Sequence, residues 1–477
     1  MLSSSDFTLI FVETLESLYI PKTNHHDYYG VERQRMSISE ITGILLIGIL
    51  FLALLYRSKN LSLQDILSEY PLQSENHRQP PPTETFKSFS LTKKQCAAAF
   101  PGLNREIERA IAEGPFELRK GPDDYPGSVQ GRITDGKLYI ISAVQDRVLN
   151  RVGAVLHSLH RAIITSPSPL PDTLFILNIN DEPRTNSWSF SRTDNPRIPK
   201  NPWLMPHFSS WSWPLPFIGP LNEALSKIDQ LEEAAPWREK IDKAVWRGTA
   251  WFNPDWNMGL RPKLLEVTEG RKWADVAIWA GESADNTINI TDFCKYRYII
   301  YAEGKSYSGR LPFHQACASV ILTPPPTFLL HNTHLMRPLF SSSLDLSASD
   351  PYKDKYWPAK PPPTSYPHES TNITWPVSYP SSQANIVFVK PDWSDLGDTI
   401  NFLMERPEIG ESIANRQRDI MIKQGYLSEA AEVCYWRSLI TAWSSMAVTS
   451  ESDNASGEYW GDGVKWETYS LTKSTNT

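Results

Sequence analysis

Three short runs, "TLFILNIND" at 173–181, "KYRYIIYAEG" at 295–304 and "NIVFVKP" at 385–391, are largely apolar and stop on charged, small or proline residues. With apolar residues on both alternating faces, such runs read as strands covered above and below, as in parallel sheets. Segments with helical spacing alternate with them, notably "RVLNRVGAVLHSLHRAI" and "RPKLLEVT". This alternation predicts parallel α/β architecture. An earlier helical pattern, with Ala97, Phe100, Leu103, Ile107 and Ile111, opens the folded part.

Ahead of that part, Ile41 to Tyr56 carries no charge over sixteen residues. As a helix it would span ~24 Å, short for an average bilayer but sufficient for a thin one. Its apolarity all round predicts a membrane anchor at 36–57, following an N-terminal tail at 1–35. Charges flank it on both sides, Arg33 and Arg35 before, Arg57 and Lys59 after, so they do not orient it. The proline-bearing stretch 58–95 reads as a stem. Two domains follow, at 96–240 and 241–446, the second with an irregular Pro/Ser/Tyr-rich insertion at 341–383. Residues 447–477 read as a polar tail.

A net charge of −7 gives no basic field to attract nucleic acid. The 17 tryptophans fit either sugar stacking or, as in most proteins, core packing. Four cysteines allow two disulfides in an oxidising lumen, with three connectivities open. With no CxxC, HExxH or histidine cluster, no metal site is expected. Sequons occur at Asn60, Asn289, Asn372 and Asn454; Asn60 lies too near the anchor, leaving the other three as glycosylation candidates. No G-x-G-x-x-G follows a first strand, which disfavours a dinucleotide oxidoreductase.

Ligands of such sheets bind beyond the carboxyl ends of the strands. Asp181, Arg247 and Arg310 each close or follow a strand-like run. In "YAEGKSYSGRLPFHQACAS" (301–319), small residues let backbone N–H groups approach an anion, and Arg310 adds a fixed cation. Each has a plainer alternative. Asp181 could cap its turn or pair with Arg184, Arg247 could sit in a structural ion pair, and the 301–319 turn could be solvated.

Taken in order, "QCAAAFPGLNREIERAI", "FILNINDEP", "SFSRT", "VWRGTAW", "GLRPKLLEV", "CKYRYIIYAEGKSYSGRLPFHQACASVIL" and "VCYWRSLI" resemble the CAP10-type glycosyltransferases, family 90. That family includes animal protein O-glucosyltransferases and fungal capsule xylosyltransferases; the resemblance runs from about Cys96 to Trp443. It implies a GT-B fold, two Rossmann-like domains facing a crevice, with the second binding the nucleotide sugar. Asp181 matches the family's catalytic base, with Asp146 the next candidate. Thr249 and Arg247 match a donor-binding segment, Arg261 another donor-contacting arginine, and Lys305, Ser306, Tyr307, Ser308, Gly309 and Arg310 the loop that wraps the UDP. Family pairing implies Cys294–Cys317 and Cys96–Cys434.

The expected activity is therefore transfer of xylose or glucose from a UDP-sugar to a hydroxyl of a glycan or glycoprotein. The reaction would be inverting and without metal or other cofactor, since arginines can neutralise the departing diphosphate. The expected location is the Golgi or ER, as a single-pass type II membrane protein with a lumenal catalytic part. The alternative is a degenerate member that binds sugar or glycoprotein without turnover. An insertion after Phe340 and a loosely similar "SWSWPLPFIG" set this chain apart on the acceptor side.

Overall fold

The computed structural model describes residues 83–144, 151–194, 202–281, 285–344, 371–449 and 460–474. The expected anchor, the N-terminal tail, most of the stem, Asp146, Asn60, Asn454 and positions 345–370 of the insertion lie outside the described residues. Among the described residues, no helix is long and apolar enough to cross a membrane.

Two six-stranded sheets organise the described chain. In the first lobe, β1 (Ser128–Thr134) and β2 (Lys137–Ala143) form an antiparallel hairpin, and β1 also pairs antiparallel with β3 (Thr173–Asn178). The short strands β4 (Trp188–Ser189) and β5 (Trp203–Leu204) extend the sheet in parallel. This mixed sheet corrects the all-parallel expectation. The cause is local: Asp135 (φ 50°) and Gly136 (φ 68°) make a two-residue turn, with Thr134 paired to Lys137. Positive φ at both positions suits the right-handed twist of a hairpin. Helix α1 (Arg151–Ile164) packs on this sheet.

The second lobe matches the parallel pattern. Helix α2 (Leu221–Ala234) leads into strand β6 (Ile241–Gly248), followed by helix α3 (Leu260–Thr268), β7 (Ala274–Ile278) and β8 (Tyr296–Ile300). Then come helix α4 (Leu311–Ala316) and strands β9 (Val320–Thr323), β10 (Pro338–Phe340) and β11 (Ile386–Phe388). The strand order is β10-β11-β9-β8-β6-β7, and all pairs are parallel. Ala244 and Trp246 of β6 face one core while Val245 faces another. Both faces are thus covered, as the apolar runs require. The chain leaves β6 toward β7 and returns to its other side with β8, so the order reverses between β6 and β8.

The chain then re-enters the first lobe. Helix α5 (Glu429–Met446) places Tyr435, Trp436, Leu439 and Trp443 in the first lobe's core, so it is not part of the second domain as expected. Cys96–Cys434 ties this helix to the helix Lys93–Ala99, and Cys294–Cys317 joins the start of β8 to the end of α4. These are the pairings the resemblance implied. Residues 460–474 are not tail: β12 (Val464–Lys465) pairs with β2, helix α6 (Trp466–Ser474) follows, and Trp460 and Trp466 are buried. Folding starts earlier than Cys96, with Phe86 against Phe100 (6.0 Å) and Leu91 buried. Pro101 and Gly102 (φ 74°) split the first helical pattern into two helices, Lys93–Ala99 and Arg105–Ala112. Tryptophans mainly build the cores; Trp188, Trp203, Trp246, Trp393, Trp436 and Trp443 are fully buried, and Trp251 is the most exposed described one.

Candidate active site

On the first lobe, β3 delivers the chain into a turn pinned by the buried Asn178. Its amide donates to Glu182 O (2.7 Å) and Ser189 Oγ (3.2 Å). The turn leaves Asp181 half exposed at its crest. Asp181 does not pair with Arg184, whose guanidinium lies 4.3 Å over the Tyr125 ring. Its Oδ1 instead accepts from Arg151 Nη1 at 2.8 Å. The Tyr307 hydroxyl, from the second lobe, is held un-ionised by burial and by the charge of Asp181.

The other side of the site lies where the strand order reverses, the usual ligand position in open α/β sheets. Arg261, in the first turn of α3, spans the carboxyl ends of the two strands that flank the reversal. Its Nε donates to Glu303 O (3.0 Å) after β8, and its Nη1 to Thr249 O (3.0 Å) and Oγ1 (3.3 Å) after β6. Burial and the neighbouring charge of Arg310 push Arg261 down to about 9, and burial pushes Arg310 down to about 10. Arg310 donates to the Arg247 carbonyl and Ser308 Oγ. Neither guanidinium has a carboxylate partner among the described residues. Two adjacent cations whose hydrogen-bond partners among the described residues are neutral oxygens form a cradle with the charge to suit an anion.

The 304–310 turn is built by close approach. Gly304 N donates to Ser306 O (2.8 Å) and Ser308 N to the Tyr301 hydroxyl (2.9 Å). A Cβ on Gly309 would lie 2.7 Å from His207 Cε1 and 2.9 Å from the Trp213 ring, so only glycine fits. The rings of Tyr307 and His207 meet edge-on at 5.4 Å. Ser306 Oγ and the Tyr307 hydroxyl are buried without a hydrogen-bond partner among the described residues. Lys305 is exposed, 2.7 Å from Asp255 and 3.7 Å from Glu182, the neighbour of Asp181.

The structure therefore brings Thr249, Arg261 and Arg310 together at the strand reversal, with Ser306, Tyr307, Ser308 and Gly309 in the turn that leads to Arg310 and Lys305 reaching toward the Asp181 turn. Arg247 is the exception. Its guanidinium is occupied by Asp275 Oδ1 (2.6 Å) and by the carbonyls of Asn286, Trp246 and Asp275, and only its main-chain oxygen reaches the cradle, through Arg310. Sequence reasoning passed over Arg151, whose contact spans 30 positions, and Glu303. Glu303 accepts from Thr327 N, Thr327 Oγ1 and Phe328 N at 2.8–2.9 Å, and burial pushes its carboxyl up to about 8. Its place at the end of an apolar strand was the available signal. Asn289 is exposed, as a glycosylation acceptor must be, and Asn372 lies in the short helix Thr371–Thr374. Among the described residues, the metal-sized grouping is Glu232 with Cys294 and Cys317, and that disulfide takes both sulfurs out of play.

Residues 125–341 match the model of glycosyl transferase family 90, the family the sequence resembles. Protein O-glucosyltransferase 1 of Rattus norvegicus is 24% identical over 309 residues, covering 60% of this chain and 66% of that protein. Its Homo sapiens counterpart is 22% identical over 297 residues, 58% of this chain and 63% of the relative. O-glucosyltransferase rumi of Drosophila melanogaster is 24% identical over 174 residues, 32% and 41% of the two chains. The matched stretch thus spans just under two thirds of the first of these relatives.

Proposed function

We propose that this chain, whose residues 125–341 match the glycosyl transferase family 90 model, transfers glucose or xylose from a UDP-sugar to a hydroxyl of a glycan or glycoprotein. The observation that carries this reading is the Arg261–Arg310 cradle at the strand reversal, two neighbouring cations with no carboxylate partner among the described residues. A diphosphate supplies the counter-charge.

The two lobes divide the chemistry as in a GT-B enzyme. An acceptor hydroxyl is a weak nucleophile, so Asp181 takes its proton as the oxygen attacks the anomeric carbon. The bond from that carbon to the diphosphate oxygen breaks, and UDP departs with the electron pair between Arg261 and Arg310. A single in-line displacement inverts the anomeric configuration, turning an α-linked donor into a β-linked product. Fixed arginines provide the neutralisation that a metal ion provides elsewhere. Anchoring through residues 36–57 in a Golgi or ER membrane completes the proposal.

The test is UDP release by the full-length chain across a panel of UDP-sugars with glycan and glycopeptide acceptors, with and without chelator. Release from UDP-glucose or UDP-xylose that survives chelation is expected. Silence across the panel favours a sugar- or glycoprotein-binding protein without turnover, and loss on chelation overturns the metal-free reaction.

A further inference from the structure

Arg151, the first residue of α1, approaches Asp181 from beneath its turn. A single nitrogen, Nη1, donates to Asp181 Oδ1 (2.8 Å) and to Ile179 O (3.2 Å), so one group grips both the carboxylate and the backbone that carries it. The arginine side chain is 11% exposed against 49% for Asp181. Its guanidinium lies 5.0 Å over the Phe208 ring, and Nε is sealed from solvent with no hydrogen-bond partner among the described residues. Phe208 follows His207, whose ring meets Tyr307 of the donor-side turn and would contact any Cβ at Gly309. Asp181 has no other fixed partner among the described residues, and its Oδ2 makes no hydrogen bond to them.

We infer that Arg151 is a positioning residue for the transfer reaction: by occupying Oδ1 it presents Oδ2 of Asp181 to the acceptor hydroxyl. This rests on Asp181 being the base of the proposed function. A half-exposed carboxylate on a turn would otherwise sample several rotamers, few of them suited to receiving a proton from a hydroxyl on the anomeric carbon's open face. The cation is itself held by an aromatic face and a backbone carbonyl, so the carboxylate is fixed by the rigid core. The same stack places the base in mechanical contact with the turn that carries Arg310.

The experiment compares Arg151→Ala, Arg151→Lys and Asp181→Asn in the full-length chain, reading kcat, donor KM, UDP affinity and thermal midpoint. For Arg151→Ala the expected result is a kcat loss of about 10–100-fold, the scale of a misplaced reacting group, with UDP affinity within threefold of wild type. Arg151→Lys, which keeps a cation and a donor on a shorter fork, should recover part of the kcat. If Arg151→Ala does not fold, the kcat of Arg151→Lys carries the test, and a value equal to wild type overturns the inference. A kcat for Arg151→Ala within twofold of wild type also overturns it, as does a fall in UDP affinity that matches the fall in kcat. If Asp181→Asn still transfers sugar, the proposed base is wrong and both readings fall. If Asp181→Asn is dead while Arg151→Ala is unimpaired, only the positioning role falls.

Discussion

Lys305 Nζ lies 3.7 Å from Glu182 Oε1, so a residue of the donor-side turn touches the residue next to the proposed base. Lys305 also pairs with Asp255 at 2.7 Å, and all three side chains are well exposed. Exposed pairs of this kind contribute ~0–1 kcal/mol, so Lys305→Ala should leave the thermal midpoint nearly unchanged. Its charge should instead steer the diphosphate, so UDP affinity should drop a few-fold at low salt and less at high salt. Titrations with UDP at two ionic strengths check this; a salt-independent deficit counts against it.

The two cradle arginines should fail differently. Arg310→Ala removes a charge whose repulsion burdens Arg261, so the ligand-free protein should lose little stability. UDP affinity should fall by about 10–100-fold, the value of one or two charge-assisted hydrogen bonds. Arg261→Ala leaves the carbonyls of Thr249 and Glu303 without their donor and should also lower the melting temperature. Melting curves with and without UDP separate the two effects; equal stability losses would contradict the assignment.

Gly309→Ala places a methyl against His207 and Trp213. Relief requires the turn to move away from the first lobe, at a cost of ~1–3 kcal/mol. Because Arg310 is the next residue, UDP affinity should fall with stability. Wild-type melting and binding for Gly309→Ala would show that the turn is not wedged there.

Glu303 gives a pH signature. Its folded value, about 8, is above its ordinary 4.5, so the folded state retains a proton that the unfolded state has released. Its contribution to stability is therefore full below about pH 4.5, declines as pH rises toward about 8, and is flat beyond, with a slope of at most ~1.4 kcal/mol per pH unit. Glu303→Gln keeps an acceptor for the Thr327 and Phe328 amides but does not titrate. Its melting temperature should fall less than wild type between about pH 5 and pH 8. Parallel curves would place the titration elsewhere.

Buried histidines work in the opposite direction. Burial pushes His331 down to about 3 and His334 down to about 4, so both stay neutral in the fold while the unfolded chain takes up protons below its ordinary value of 6.5. The protein should lose stability as pH falls from about 6.5 toward 4, a loss that His334→Gln should reduce. Chemical denaturation at stepped pH reads this directly.

Much of the second lobe was legible because its strands are covered on both faces and therefore appear as apolar runs. "KYRYIIY" and "NIVFV" became β8 and β11 for that reason. The hairpin in the first lobe was also written locally, in Asp135-Gly136 between alternating residues. Helix α5 was visible as a helix, but periodicity states only that a face is buried and not against which lobe. Trp460 and Trp466 lay in a segment polar on average, and average polarity hides two large anchors.

What the sequence by itself determined was the inventory: a parallel sheet of apolar strands, an arginine in a glycine-bounded turn, an aspartate at a strand end and the family those motifs resemble. Tertiary structure decided which charges were free. Arg247 closes β6 and Arg310 caps α4 beyond the end of β8, yet β7 brings Asp275 against Arg247 while no carboxylate among the described residues pairs with Arg310. Arg151 reached Asp181 by the converse route, through packing of α1 beneath the turn. An ion pair depends on distance in space, and the neighbours across a sheet or under a helix are set by the fold.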